Sequence, residues 1–311
     1  MREPSAKPRA VLCLGLASQD TLWRVPALPT EPVKMRASDV LQVGGGMAAT
    51  AAVTVARLRG RAAYWGRVGR DAVGDAILDE LAAEGVDTAE VRRFDGCRST
   101  VATVLVDRAG ERLVCTFIDP AMPDETDWLP LERVAQFDAV LADTRWPLGA
   151  TAVLAAARRH GIPGVLDADI SDAETLVSLA AEASHTVFSA PALRRFAGCD
   201  DLAEALRRSC RARPPGAVFG VTDGERGSLW LIGDALHRIP APPVRAVDTL
   251  GAGDVFHGAL ALALAEGQGL EPSACFAGAA AALKCKTFGG RRGTPRREQV
   301  DALLQEKERW S

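Results

Sequence analysis

Two short continuous apolar runs, Ala139 to Asp143 (AVLAD) and Gly164 to Ala168 (GVLDA), lie on either side of a helical run from Gly149 to His160. Runs of this kind without polar alternation are strands buried on both faces, and strand, helix and strand in that order argue for a parallel sheet with right-handed crossovers. Ala10 to Ala17 (AVLCLGLA) has the same character and predicts the first strand of that sheet. Val187 to Ser189 predicts another. Open sheets of this type bind ligands just beyond the carboxyl ends of their strands, which draws attention to Asp20, shortly after the first run. Its alternative reading is a turn cap.

Two other stretches have a different pattern. Residues 21–42 carry Pro26, Pro29 and Pro32 among alternating apolar and polar positions, and Thr100 to Ile118 alternates around a hinge at Asp107-Arg108-Ala109-Gly110. Both predict exposed extended structure, and together they imply a second, smaller set of strands.

Asp248-Thr249-Leu250-Gly251-Ala252-Gly253-Asp254 precedes an apolar, small-faced helical run from Val255 to Ala265. A helix start leaves backbone N–H groups unpaired and carries a partial positive charge, so it binds anions. Gly251, Ala252 and Gly253 have almost no side-chain bulk, and their amides can approach an oxyanion closely. Asp254, in the first turn, is unsuited to hold a phosphate because like charges repel. It is suited to take a proton from a hydroxyl that attacks phosphorus. The alternative is a simple cap. A second small-residue helix, Ala51 to Leu58, follows Gly44-Gly45-Gly46, whose amides are likewise expected to approach a ligand.

The chain has 311 residues, 48% hydrophobic, with a net charge of −3, which gives no reason to expect nucleic acid. Arg291, Arg292, Arg296 and Arg297 read as a solvated basic face. Seven scattered cysteines without a CxxC pair read as reduced thiols of a cytoplasmic enzyme. The first ten residues, polar and proline-bearing, do not read as a signal peptide, and no apolar run reaches membrane-spanning length.

The motif Asp-Thr-x-Gly-Ala-Gly-Asp at Asp248 to Asp254, with Gly44-Gly45 and Tyr64 to Asp71, resembles the signatures of the ribokinase-like, or PfkB-type, carbohydrate kinases. The resemblance implies a three-layer α/β/α sandwich with a mostly parallel central sheet and a small β-sheet lid. One kinase domain over 1–311 is expected, with lid strands from about 17–42 and 96–118. It also implies Asp254 as catalytic base, Gly251, Ala252 and Gly253 as anion hole, and Asp20, Gly44 and Gly45 at the sugar. Thr222, Gly224, Gly227, Lys284 and Gly289 are implied at the nucleotide, with ATP as MgATP, a monovalent cation behind the anion hole as in several members, and a homodimer through the lids. Two positions depart from the pattern: Ala49 stands where many members have Asn, and Ser189-Ala190-Pro191-Ala192 lacks the acid of an Asn-x-x-Glu segment. No metal role is therefore placed on these residues.

Within the family the chain resembles members acting on the sulfonated ketohexose 6-deoxy-6-sulfofructose, through Arg145-Trp146 and through His257-Gly258. A sulfonate stays anionic and needs fixed cations. The resemblance implies Lys34 and Arg145 for that role, with Thr116 in place of an Asn. The expected reaction is phosphorylation of the C1 hydroxyl of a ketohexose. The alternatives are a fructokinase, ketohexokinase or other sugar kinase, and a sugar-binding protein without catalysis.

Overall fold

The computed structural model describes residues 7–210 and 214–306. The polar stretch 1–6, read above for the absence of a signal peptide, lies outside them. A nine-stranded sheet forms the centre, in the order β13-β12-β11-β10-β9-β8-β1-β4-β5. Its strands are β1 (Ala10–Gly15), β4 (Arg61–Gly69), β5 (Val91–Phe94), β8 (Ala139–Asp143), β9 (Gly164–Ala168), β10 (His185–Ser189), β11 (Val218–Thr222), β12 (Ser228–Ile232) and β13 (Ala235–Ile239). From β5 to β11 every pairing is parallel; β12 and β13 are antiparallel additions at one edge.

The apolar run of β1 is explained by burial on both faces. Val11 and Cys13 enter one core, while Leu12 and Leu14 enter the other. The first core is closed by α1 (Met47–Arg57), α2 (Ala72–Ala83), α7 (Ala252–Ala265) and α8 (Leu270–Cys285). The second is closed by α3 (Pro147–His160), α4 (Ala173–Glu182), α5 (Ala190–Ala197) and α6 (Leu202–Ser209). The three expected layers are present, and α9 (Arg297–Gln305) packs on α8. Residues 241–247, between β13 and the segment before α7, form no regular strand.

Four strands make a separate sheet, β3-β2-β6-β7: β2 (Ser18–Arg24), β3 (Asp39–Gly45), β6 (Val101–Val106) and β7 (Arg112–Phe117). Its inner face packs Leu22, Val43, Ala102, Val104 and Val106 against Leu41, Leu250 and Phe288. Leu250 belongs to the Asp248-to-Asp254 motif, so the lid rests on the segment that precedes the start of α7. The β6–β7 hairpin reaches the same segment, where Arg112 Nη1 donates to Thr249 Oγ1 at 2.6 Å and that hydroxyl donates to the Gly110 carbonyl at 3.2 Å.

Candidate active site

The position of Asp254 follows from close helix packing. A Cβ on Gly258 would lie 2.6 Å from the Ala51 carbonyl, so a glycine is what lets α7 approach α1. Gly251 is the N-cap of α7 with φ 76°, in the left-handed region that glycine adopts without strain, and no side chain caps the helix. Asp254 is the third residue of the helix. The Ala252 N–H turns back onto the Thr249 carbonyl at 3.2 Å, which takes it out of the expected anion-binding set. Gly253 is exposed, with no heavy atom within 4 Å of where its Cβ would be.

Asp254 is one of four carboxylates gathered where the parallel strands end. Asp143 closes β8 and is fully buried; its oxygens accept from the N–H groups of Leu16 (2.8 Å), Ala48 (3.1 Å) and Arg145 (2.8 Å). It thereby holds the ends of β1, α1 and β8 together. Asp167 is the fourth residue of β9, beside Asp143, and Asp169 stands just beyond that strand. Burial pushes the Asp254 carboxyl up to about 8, and the charges of Asp167, Asp169 and Asp143 add to the rise. Burial and the same acidic neighbours push Asp167 well above the carboxylate range.

His257, one turn beyond Asp254, is almost wholly buried; Nδ1 lies 2.7 Å from the Gly253 carbonyl and Nε2 lies 3.2 Å from that of Val187. Burial pulls its pKa down, while those two carbonyls and Asp254 oppose the fall. Nδ1 is also 3.4 Å from Asp167 Oδ2, so the ring ties the first turn of α7 to β9 and β10.

The residues expected at the sugar form a second group. Asp20 is 7% exposed, and Ser18 Oγ donates to it at 2.6 Å. Burial raises the Asp20 pKa, against the Ser18 hydrogen bond and the Arg291 charge. A Cβ on Gly45 would fall 2.1 Å from the Asp20 carboxylate, and one on Gly44 would fall 1.6 Å from Arg291 Nη2. The two glycines thus make room for a carboxylate and a guanidinium. The Gly44 amide is committed to Glu80 at 2.7 Å, and the first amides of α1 go to Asp143 and the Leu16 carbonyl. This corrects the expectation for the Gly44 amide, which is not free to meet a ligand.

Arg291 also corrects the reading of its basic cluster as a solvated face: it is 3% exposed, pairs with Glu80 at 3.2 Å, and lies behind Gly44. Ala49 is completely buried in α1 and offers no polar contact.

Asp20, Ala102 and Thr116 lie in register across β2, β6 and β7, so Thr116 shares the lid face that carries Asp20. Lys34 is exposed in the β2–β3 connection. Arg145 is engaged by an ion pair to Asp169 at 2.9 Å and by the Ile170 carbonyl at 3.1 Å, with 30% of its side chain exposed. Trp146 is buried and stacks on Trp128, with ring centroids 5.5 Å apart.

Of the residues expected at the nucleotide, Thr222 ends β11, partly buried, and Gly224 and Gly227 flank the short turn into β12. Gly227 has φ 83°, and a Cβ there would strike the Ile239 carbonyl at 2.1 Å. Gly224 faces open space.

Two expected nucleotide contacts are placed elsewhere. Lys284 has no exposed surface, and its Nζ donates to the Asp248 carbonyl at 2.7 Å. The Gly289 amide is given to Asp248 Oδ2 at 3.0 Å. Both are corrections: the Lys284 ammonium and the Gly289 amide are committed to Asp248. In the segment Ser189 to Ala192, which lacks the acid, Ser189 Oγ caps α5 and donates to Asp169 at 3.1 Å. Among the described residues no group of three or more metal-binding side chains is found.

A carboxylate beside open helix-start amides is the equipment of an enzyme that moves a phosphoryl group onto an alcohol. The chain belongs to the pfkB family of carbohydrate kinases, whose family model matches residues 9–297. It is therefore an ATP-dependent sugar phosphotransferase. It is 30% identical to the ribokinase of Bacillus subtilis over 303 residues, covering 95% of this chain and 99% of that one. It is 32% identical to the fructokinase of Klebsiella pneumoniae over 244 residues, covering 73% and 78%. Among solved structures, an Agrobacterium tumefaciens protein provisionally assigned as a ribokinase superposes with a TM-score of 0.93 at 42% identity, covering 97% of this chain and 99% of that one. Arabidopsis thaliana ribokinase complexed with ribose and ATP gives 0.82 at 26% identity, covering 96% and 99%.

Proposed function

We propose that this kinase phosphorylates the C1 hydroxyl of a ketohexose, with 6-deoxy-6-sulfofructose ahead of fructose. The observation that carries the reading is the shared lid face. Asp20 on that face takes sugar hydroxyls, and Thr116, on the same row of residues, donates to the far end of the sugar. Lys34 is an exposed cation in the β2–β3 connection, and Arg145, paired with Asp169, keeps 30% of its side chain exposed. Two cations suit a group that keeps its charge at every physiological pH.

The chemistry belongs to Asp254, which takes the proton of the C1 hydroxyl. Gly253 and Gly251 offer amides to the transferring phosphoryl group, and Thr222, Gly224 and Gly227 hold the nucleotide. Mg2+ would accompany the nucleotide and neutralise phosphate charge.

A coupled assay with MgATP and sulfofructose, fructose, ribose and adenosine tests the substrate. The highest kcat/KM for sulfofructose supports the reading. The highest for ribose supports a ribokinase instead, the alternative favoured by the Bacillus subtilis relative. No ADP with any sugar would support the binding-protein alternative. Arg145→Ala is expected to raise KM for sulfofructose by about 10- to 100-fold, as for loss of a charge-assisted hydrogen bond, and KM for fructose by under about threefold. Equal effects on the two sugars would remove the sulfonate from the account.

A homodimer through the lid is part of the same proposal. The outer lid face exposes Trp23 (36%), Val40 (52%), Val101 (37%) and Leu113 (42%), an apolar surface that a second copy would cover. Sedimentation is expected to give a dimer, and Trp23→Glu a monomer. A monomeric wild-type chain would contradict it.

A further inference from the structure

Lys284 sits in the last turn of α8, a position that ordinarily sends a lysine into solvent. Here the side chain turns inward and has no exposed surface. Its Nζ lies 2.7 Å from the Asp248 carbonyl and 3.5 Å from Asp248 Oδ2. Asp248 is equally buried, and its carboxylate also accepts from the amides of Leu250 (2.8 Å), Gly289 (3.0 Å) and Gly290 (2.9 Å). The N–H groups of Val247 and Asp248 both donate to the Cys285 carbonyl, at 2.8 and 3.2 Å. One ammonium and one carboxylate thus join the end of α8, the residues leading into the anion-binding turn, and the loop at Gly289-Gly290.

We infer that Lys284 is a tethered cation that takes the place of a dissociable monovalent ion behind the anion-binding turn, so that this kinase works without added potassium. A buried ammonium needs oxygen ligands just as a small monovalent cation does, and Asp248 supplies them in both neutral and charged form. A free ion entering here would meet the Lys284 charge and that of Arg112, whose guanidinium is bound to Thr249 one residue further on. The monovalent cation implied by the family resemblance therefore does not fit these residues. Lys284 touches no reacting atom. It is a positioning residue, acting through Asp248 on the turn that carries Gly251 and Gly253.

The test has two arms, and only the first rests on the kinase activity; the second reads the ion without any sugar. In the first, initial rates are measured in potassium, sodium, ammonium and tetramethylammonium chloride at one ionic strength. Wild type is expected to vary by less than about twofold. Lys284→Met is expected to lose at least about tenfold in tetramethylammonium, as for a buried carboxylate left without its partner, and to regain activity saturably with ammonium or potassium. In the second arm, the melting temperature of Lys284→Met is expected to rise with the same ions, and that of wild type to stay level. Saturable activation of wild type by potassium would overturn the inference. So would a folded Lys284→Met chain as active as wild type in tetramethylammonium, or one that no cation restores.

Discussion

Asp254→Asn is expected to lower kcat by about 10³-fold or more while raising the melting temperature of the substrate-free protein. The loss in rate follows from removing a general base, which contributes about 10²- to 10⁴-fold on its own. The gain in stability follows from the carboxylate cluster. The Asp254 pKa is raised from 3.8 to about 8, so between those pH values the folded chain holds a proton that the unfolded chain has released. Stability then falls as pH rises across that window, by at most about 1.4 kcal/mol per pH unit. Asparagine removes this cost. The difference in melting temperature between variant and wild type is therefore expected to widen from pH 5 to pH 8, by about 2 °C per pH unit in a chain of this size. The same shift predicts that wild-type kcat/KM rises with pH along an acid limb near 8, since only the carboxylate can accept the proton. Asp254→Asn with unchanged kcat, or with a melting temperature below wild type at pH 8, would contradict this.

Gly45→Ala is expected to raise KM for the sugar by about 10- to 100-fold, as much as Asp20→Ala does, because a methyl group there would overlap the Asp20 carboxylate. Asp20 has little freedom to move aside: it is buried, and Ser18 holds it on one side. The double variant should then show strong non-additivity, with KM close to that of Asp20→Ala alone, because both changes act on one carboxylate. Additive effects, each full in the presence of the other, would mean that Gly45 meets the sugar independently of Asp20.

Much of the fold is written in local patterns. AVLCLG, AVLAD and GVLDA lack alternation because both faces of each strand are buried, and that property depends on the run itself. The alternating stretches became the lid for the converse reason, having one covered face. The turn before α7 was legible because its glycines stand next to a helix start, and Gly251 takes a φ of 76° that glycine adopts without strain.

Arg291 and Lys284 were not legible. Arg291 stands among basic residues that look solvated, and its burial depends on the missing Cβ of Gly44, far away in sequence. Lys284 ends an alanine-rich helix, where a lysine favours the helix dipole whether or not it is buried. Its partner Asp248 is 36 residues away. The acids Asp143, Asp167 and Asp169 were visible as polar ends of strands, but their common site emerges only when β8 and β9 lie side by side against α7.

The most direct measurement is a crystal structure with a ketohexose, ADP and a planar phosphoryl mimic. The account predicts the sugar C1 hydroxyl within hydrogen-bond distance of the Asp254 carboxylate, and the mimic against the amides of Gly251 and Gly253. A mimic bound away from the start of α7, or an Asp254 carboxylate with no sugar hydroxyl in reach, would contradict it.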